Sequence, residues 1–362
     1  MERSTVRIYE TQADEWIAAR PAKRVELAQK VASSARAGRP VVDVGCGPGG
    51  HLAVLAEQGA SVVGVDAAFS MLAHARDNVD VAGSSVVQAD LMALPLARQS
   101  CGGAWARMSY HHVPRADLPL ALAHLHHALA VDAPLALVSQ RGADEGVTGA
   151  DDEFPGRYFA CWEPAPLTDV LVGAGFDVAW AEPDGDEVVA WATRARTLPD
   201  TVGPGMRLLV CGLNPSLYAA DAGAGFARRA NRFWPAMTAA GLVCEARAWD
   251  PLHLLTGHGI GMTDLVKRAT VAAAELSVEE YRAGVERVRR LVSWLRPGAV
   301  LFVGLDGWRK AVDRRAVAGV QPDGFGGVPA YVMPSTSGLN ASSQLPALTD
   351  HLRAAATLSP PA

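Results

Sequence analysis

Three carboxylates close consecutive strand-like runs: Asp43 in PVVDVG, Asp66 in ASVVGVD and Asp90 in SSVVQAD. The loop GCGPG follows the first of them, and Gly45, Gly47 and Gly49 there permit a tight turn and close approach of a ligand to the backbone. A carboxylate about 20 residues beyond such a loop can accept both hydroxyls of a ribose. Asp90 and Leu91 then offer an acceptor and an apolar neighbour to an adenine edge. This is the chemistry of binding a nucleoside-containing cofactor, and a dinucleotide is disfavoured because the loop does not read GxGxxG. Further along, RLLVCGL runs straight into Asn214-Pro215-Ser216, placing a polar amide at the end of another strand-like run. Pro215 biases Asn214 towards an extended backbone. By itself an Asn-Pro loop is ordinary, but it is followed by GFARRANRFWPAMTAAGL, GIGMTDLVKRAT and VMPSTSGLNA.

Both groups need strands to carry them. PVVDVG, ASVVGVD, SSVVQAD, GAWARMS and PLALVSQ read as short buried strands, with helical stretches such as LPLALAHLHHALA between them. After residue 205, RLLVCGL, GIGMTDLV, AVLFVGL and AYVMPS alternate with helical FWPAMTAAGL and VEEYRAGVERVRRLVSWL. Alternation of this kind predicts an α/β fold in both halves, each a mostly parallel sheet covered by helices on both faces. The stretch Thr197–Gly205, TLPDTVGPG, has the turn composition of a linker, so the expected domains are 1–200 and 201–362.

The chain has 362 residues, too many for one ordinary core. Its net charge of −5 hides a sign change: residues 1–205 hold 16 basic and 26 acidic side chains, residues 206–362 hold 17 and 12. A net −10 half is thus followed by a net +5 half, and only the second suits a polyanionic partner. Cys46, Cys101, Cys161, Cys211 and Cys244 form no CxxC pair, so reduced thiols and no metal are expected. No apolar run is long enough to span a membrane and the opening residues carry no signal-peptide core, which leads to a cytoplasmic expectation. The spacing of His111, His112, His124, His126 and His127 fits no ligand set, and a packing role is expected. The helix after residue 277 should solvate Arg282, Arg287, Arg289, Arg290 and Arg296 around a Val285–Val288–Leu291–Val292 stripe.

DVGCGPGG, VVGVDAAFSMLAHAR, QADLMALPL and MSYHHVP make residues 5–195 similar to the class I S-adenosylmethionine-dependent methyltransferases. RYFACWEPAPLTDVLVGAGFDV resembles the branch acting on small molecules. The resemblance implies a doubly wound, Rossmann-like sheet that binds S-adenosyl-L-methionine. Gly45, Gly47 and Gly49 would cradle the methionine part, Asp66 would hold the ribose, Asp90 and Leu91 would meet the adenine, and Asp43 completes the set. The segments (D/N/S)PP(Y/F) and PCQ of base-modifying DNA methyltransferases are missing, and the methyl acceptor stays open.

The second group of segments resembles, over residues 206–355, the mismatch-specific uracil and thymine DNA glycosylases of the uracil-DNA glycosylase superfamily. GLNPS stands where that family has GINPG, GMTDLVKRAT matches its T-x-(L/M)-V segment, and MPSTSG is closer to thymine-active members. The resemblance implies duplex DNA with a damaged or mispaired pyrimidine as partner, and a nucleotide flipped into a pocket. Asn214 would position the attacking water, flanked by Gly212, Leu213 and Pro215. Phe226 would stack on the base, Ala219 would leave room for a 5-methyl group, and Asn231 would join the base contacts. Ser335, Ser337, Gly338 and Asn340 would carry the DNA-facing loop, with Leu339 as its wedge. An amide takes up no proton near neutrality, so catalysis would rest on positioning water and stabilising charge. Neither GLNPS nor MPSTSGLNA contains a lysine, so no lyase step is implied. Two departures matter: Ser216 replaces a glycine, and Leu339 an arginine of the thymine-active relatives. Two other readings stay open. One is chiefly a methyltransferase of a small molecule or nucleotide with the glycosylase fold repurposed or inactive, the other a non-catalytic DNA-binding module regulated by the cofactor.

Overall fold

The computed structural model describes residues 2–17, 22–77, 83–244, 249–340 and 343–359. It divides into two compact units, Met1–Val172 with Phe176–Ala195, and Gly173–Gly175 with Arg196–Ala362. Apart from Gly173–Gly175, the second unit takes up the chain at Arg196, ahead of the boundary expected from the turn residues. Thr197–Gly205 is not a free linker. Thr201 exchanges backbone hydrogen bonds with Met262 (2.9 and 2.8 Å), and Asp200 is buried.

In the first unit the strands are β1 (Val41–Val44), β2 (Val62–Asp66), β3 (Ser85–Gln88), β4 (Gly103–Arg107), β5 (Pro134–Gln140), the hairpin β6 (Glu145–Val147) and β7 (Tyr158–Ala160), β8 (Phe176–Asp184) and β9 (Glu187–Arg194). The main sheet runs β3-β2-β1-β4-β5-β9-β8. Its first five strands are parallel, while β9 is antiparallel to both β5 and β8. The chain leaves β1 for β2 and β3, then returns to β4 on the other side. That reversal opens a crevice at the carboxyl ends of β1 and β4, where Asp43 and the glycine loop lie. Val41, Leu52, Leu55, Leu72, Trp105 and Val138 form the core beneath it.

In the second unit β10 (Leu208–Gly212), β11 (Ile260–Asp264), β12 (Ala299–Val303), β13 (Gly319–Phe325) and β14 (Val328–Met333) run β11-β10-β12-β14-β13. All neighbours are parallel except the β13–β14 edge pair. Sequence patterning finds the four parallel strands but not β13, whose GVQPDGF carries the proline and glycine of an edge strand. The core joins Leu208, Val210, Leu301 and Met333 to Phe233, Trp234 and Met237 from the helix Phe233–Ala239, and to Leu348 and Leu352 from Leu345–Ala356. The order reverses between β10 and β12, so Asn214, just past β10, stands at the second switch point. No described helix is long and apolar enough to cross a membrane.

Candidate functional site

In the first unit the glycine loop turns on positive φ at Gly45 (73°), Gly47 (53°) and Gly49 (83°). The three glycines serve different ends. A Cβ on Gly45 would strike Ser109 Cβ at 2.2 Å, and one on Gly49 would come within 3.0 Å of Ala75 Cα. Around a Cβ on Gly47 no atom of the described residues would lie within 4 Å, which leaves room there for a ligand to approach the backbone. Asp66, at the end of β2, accepts from Gly47 N (2.8 Å) and Ala68 N (2.9 Å), which ties β2 to the loop. Burial raises its pKa, against those two donors. Asp43 is 3% exposed, and burial together with the charge of Asp66 pushes it up to about 8. Asp43 Oδ2 and Ser109 Oγ are buried with no hydrogen-bond partner among the described residues. Unpaired polar atoms beside an open glycine backbone fit a polar cofactor bound there. Asp90 turns its carboxylate to Met92 N (2.9 Å), and Leu91 is buried.

His111, His112 and His126 are buried, as packing requires, whereas His124 is half-buried and His127 exposed, so the packing expectation does not extend to His127. His112 Nδ1 lies 2.7 Å from the Tyr158 carbonyl, which can only accept, so that nitrogen carries the proton. Burial pushes His112 down to about 4.

In the second unit Asn214 Nδ2 donates to Arg268 O (3.0 Å), Thr270 Oγ1 (2.8 Å) and Pro215 O (3.2 Å). Carbonyls accept only, so the nitrogen must face them and Oδ1 must face away. Thr270 N to Pro215 O (3.1 Å) and Leu217 N to Thr270 O (3.2 Å) fasten the same loop through the backbone. Ser216 is a helix cap, accepting from Ala219 N at 3.1 Å, and its position one turn before Ala219 leaves Ala219 buried on the helix Leu217–Ala222.

A cleft opens beside β10 and β11, walled by Leu198, Thr201, Gly223, Gly225, Phe226, Met262 and Asp264. Phe226 adopts a left-handed backbone (φ 58°) and stacks on Phe233, with centroids 4.1 Å apart and planes 21° apart. Gly212 borders the same space: a Cβ there would lie 2.4 Å from Asp264 Oδ1 and 3.4 Å from Phe226 Cζ. Leu213 presses on the helix Leu305–Ala311 at Gly307 instead. Of the residues lining the cleft, Asp264 alone is ionisable. Burial pushes it up to about 6, with Lys267 opposing. Asp264 ends β11 as Asp66 ends β2, and that strand-end position is the one signal in the sequence that could have marked it.

Beneath Asp264 lies a buried ionic cluster. Asp200 accepts from Thr263 Oγ1 (2.6 Å), Lys267 Nζ (2.8 Å) and Arg287 Nη1 (2.7 Å). Burial pushes Asp200 up, but Arg287 and Lys267 outweigh it and hold the carboxyl below its ordinary value. Arg287 Nη2 also holds the Asp264 carbonyl at 2.7 Å. The expectation of a solvated Arg287 is therefore wrong: on the helix Val278–Leu295 it is 6% exposed, because its guanidinium has partners inside.

The Ser335–Asn340 loop binds itself. Ser335 Oγ accepts from Ser337 N (3.3 Å), Ser337 Oγ from Leu339 N (3.3 Å), and Asn340 Nδ2 reaches Ser335 O (2.7 Å). Leu339 is 94% exposed at the tip. Asn231 is engaged elsewhere, its Oδ1 accepting from Phe233 N (3.0 Å) to start a helix. Phe226 and Asp264 thus line the cleft with Gly212 next to both, whereas Leu213, Asn214, Ala219 and Asn231 are not part of its wall.

The description "Methyltransferase domain" matches residues 41–132, and "Uracil DNA glycosylase superfamily" matches residues 199–357. Solved structures similar to this chain include three S-adenosylmethionine-dependent methyltransferases. The one from Mesorhizobium loti is 20% identical with a TM-score of 0.37, over 43% of this chain and 91% of that one. The one from Aquifex aeolicus is 19% identical with a TM-score of 0.39, over 48% and 90%. The one from Methanosarcina mazei is 14% identical with a TM-score of 0.41, over 49% and 99%. The chain joins a methyltransferase domain to a domain of the uracil DNA glycosylase superfamily.

Proposed function

We propose that the second domain is a DNA glycosylase that removes uracil, thymine or a modified pyrimidine mispaired with guanine. The observation that carries this reading is the fixed amide of Asn214, whose Nδ2 is spent on the Arg268 carbonyl and Thr270 Oγ1. Its Oδ1 can then only accept, and it holds a water by one proton while the water's lone pair faces the sugar. The water oxygen bonds to C1′, the C1′–N1 bond breaks with its electron pair leaving on the base, and the water's second proton passes to solvent. Phe226 covers one face of the flipped base, and ionised Asp264 accepts from the N3–H of a uracil or thymine ring. Lys267 is bound to Asp200 with its side chain 9% exposed, which agrees with a monofunctional reaction that leaves an abasic site. A duplex with one G·U or G·T pair, incubated and then cleaved with alkali, tests the reading. Equal amounts of uncut strand from wild type and Asn214→Ala would refute it.

The first domain, in this reading, binds S-adenosyl-L-methionine across Gly47, with Asp66 on the ribose hydroxyls, Asp43 and the Ser109 hydroxyl beside the methionine part, and Asp90 with Leu91 at the adenine. Once bound, the cofactor supplies a sulfonium methyl group to a nucleophile; the loop's part is to align it and keep water out. Asp66 would exchange its bond to Gly47 N for the ribose. Calorimetric titration should show Asp66→Ala weakening cofactor binding by about tenfold or more, the loss of a hydrogen bond to a charged group.

A further inference from the structure

Arg232 stands at the start of the helix Phe233–Ala239, close behind Arg228 and Arg229 in a basic run that by composition alone suits a solvated or phosphate-facing surface. Its bonds are of another kind. Its backbone N donates to Thr336 O at 2.9 Å. Its Nη2 donates to Ser337 O (2.8 Å) and to Asn340 O, and its Nη1 to Ser343 O. One side chain therefore takes carbonyls from both sides of Leu339, the loop tip. Its Nε is buried without a partner among the described residues, so the guanidinium faces inward and not towards a phosphate. The loop also closes on the chain just before Arg232: a Cβ on Gly338 would stand 2.8 Å from Ala230 O. Leu339, in contrast, is 94% exposed.

We infer that Arg232 is a positioning residue that preforms the Leu339 loop as a rigid apolar wedge, so that excision from duplex DNA depends on it and excision from a single strand does not. The inference rests on the glycosylase reading above. Three carbonyls converging on one planar cation fix the loop before DNA arrives, and the ordering entropy is then not charged to binding. Lysine keeps the charge but, as a point donor, cannot span Ser337, Asn340 and Ser343 together. A single strand has no stack to fill and needs no wedge.

The test measures single-turnover excision of uracil from one oligonucleotide, as a single strand and as a duplex with guanine opposite, by wild type, Arg232→Lys and Arg232→Gln. 2-Aminopurine fluorescence beside the uracil reports unstacking. Both variants should lose duplex excision and the fluorescence rise by about tenfold, the scale of reordering one or two rotamer-rich side chains. Single-strand excision should stay within about twofold, well under the tenfold worth 1.4 kcal/mol, which also certifies a folded pocket. Equal loss on both strands, or full duplex activity in Arg232→Lys, would overturn the inference. Wild type inactive on both strands would overturn the glycosylase reading itself.

Discussion

Gly212 and Asp264 are register partners at the ends of parallel strands, and the missing side chain of one makes room for the carboxylate of the other. A Cβ on Gly212 would stand 2.4 Å from Asp264 Oδ1. The glycine is thus required by the cleft, since β10 itself would accept any residue there. Gly212→Ala should drive the carboxylate from its place beside Phe226 and lower uracil excision by about 100-fold, as misplacement of a reacting group by an ångström does. Stability should fall by only about 1–3 kcal/mol, the usual cost of overpacking. Melting temperature and excision rate measured on the same preparation separate the two effects.

The position of Asp264 also sets a pH dependence. Its pKa is raised from 3.8 to about 6 by burial, with Lys267 opposing. Uracil carries a hydrogen at N3 and needs the ionised carboxylate, so excision should climb as pH rises through about 6 and then level off. Asp264→Asn should remove that inflection, because an amide keeps an acceptor at every pH. The stability effect runs the other way. A raised carboxyl pKa favours the folded state fully below about pH 4, and the benefit is lost as pH rises through 6, amounting to about 3 kcal/mol. Rate profiles from pH 5 to 8 for both proteins are decisive, and an unchanged inflection in the Asn variant would remove Asp264 from the base.

Much of each unit's candidate site can be read from the chain because strand-end residues sit next to their strands. Asp43, Asp66, Asn214 and the glycine loop are local: the apolar run names the strand, and the next residue falls at the sheet's carboxyl edge. Residues that meet only after folding are harder. Arg232 looks like a solvated cation until the carbonyls of Ser337 and Asn340, more than a hundred residues away, close on it. Arg287 lies on a helix rich in arginine, and nothing local shows that its guanidinium alone turns inward to Asp200. Asp200 itself hides in TLPDTVGPG, where proline and glycine imitate a linker while the carboxylate is 1% exposed.

In the first domain Asp43 should make folding take up a proton. Burial, aided by Asp66, lifts its pKa from 3.8 to about 8, whereas the unfolded chain ionises in the ordinary range. The stability contributed by the protonated form is complete below about pH 4 and is lost, at about 1.4 kcal/mol per pH unit, until about pH 8. Asp43→Asn removes the titration and should be increasingly more stable than wild type between those limits. Denaturant titrations at pH 5, 6.5 and 8 measure the difference. A constant offset between the two proteins would mean that Asp43 is ionised throughout.

Arg287 links the stability of the second domain to its cleft. Replacement by methionine leaves Asp200 buried with Lys267 as its one remaining cation, and breaking a buried ion pair from one side costs about 3–5 kcal/mol. Lysine at 287 would recover part of that through its charge, but not the paired bonds to Thr263 Oγ1 and the Asp264 carbonyl. The charge of Arg287 also lowers the pKa of Asp264. Its removal should therefore move the excision inflection above pH 6 in Arg287→Met, while Arg287→Lys keeps it near the wild-type position. Chemical denaturation reads the first effect and the pH–rate profile the second. A variant that loses stability with no shift in its inflection would show that the buried cluster holds up the sheet without tuning the carboxylate above it.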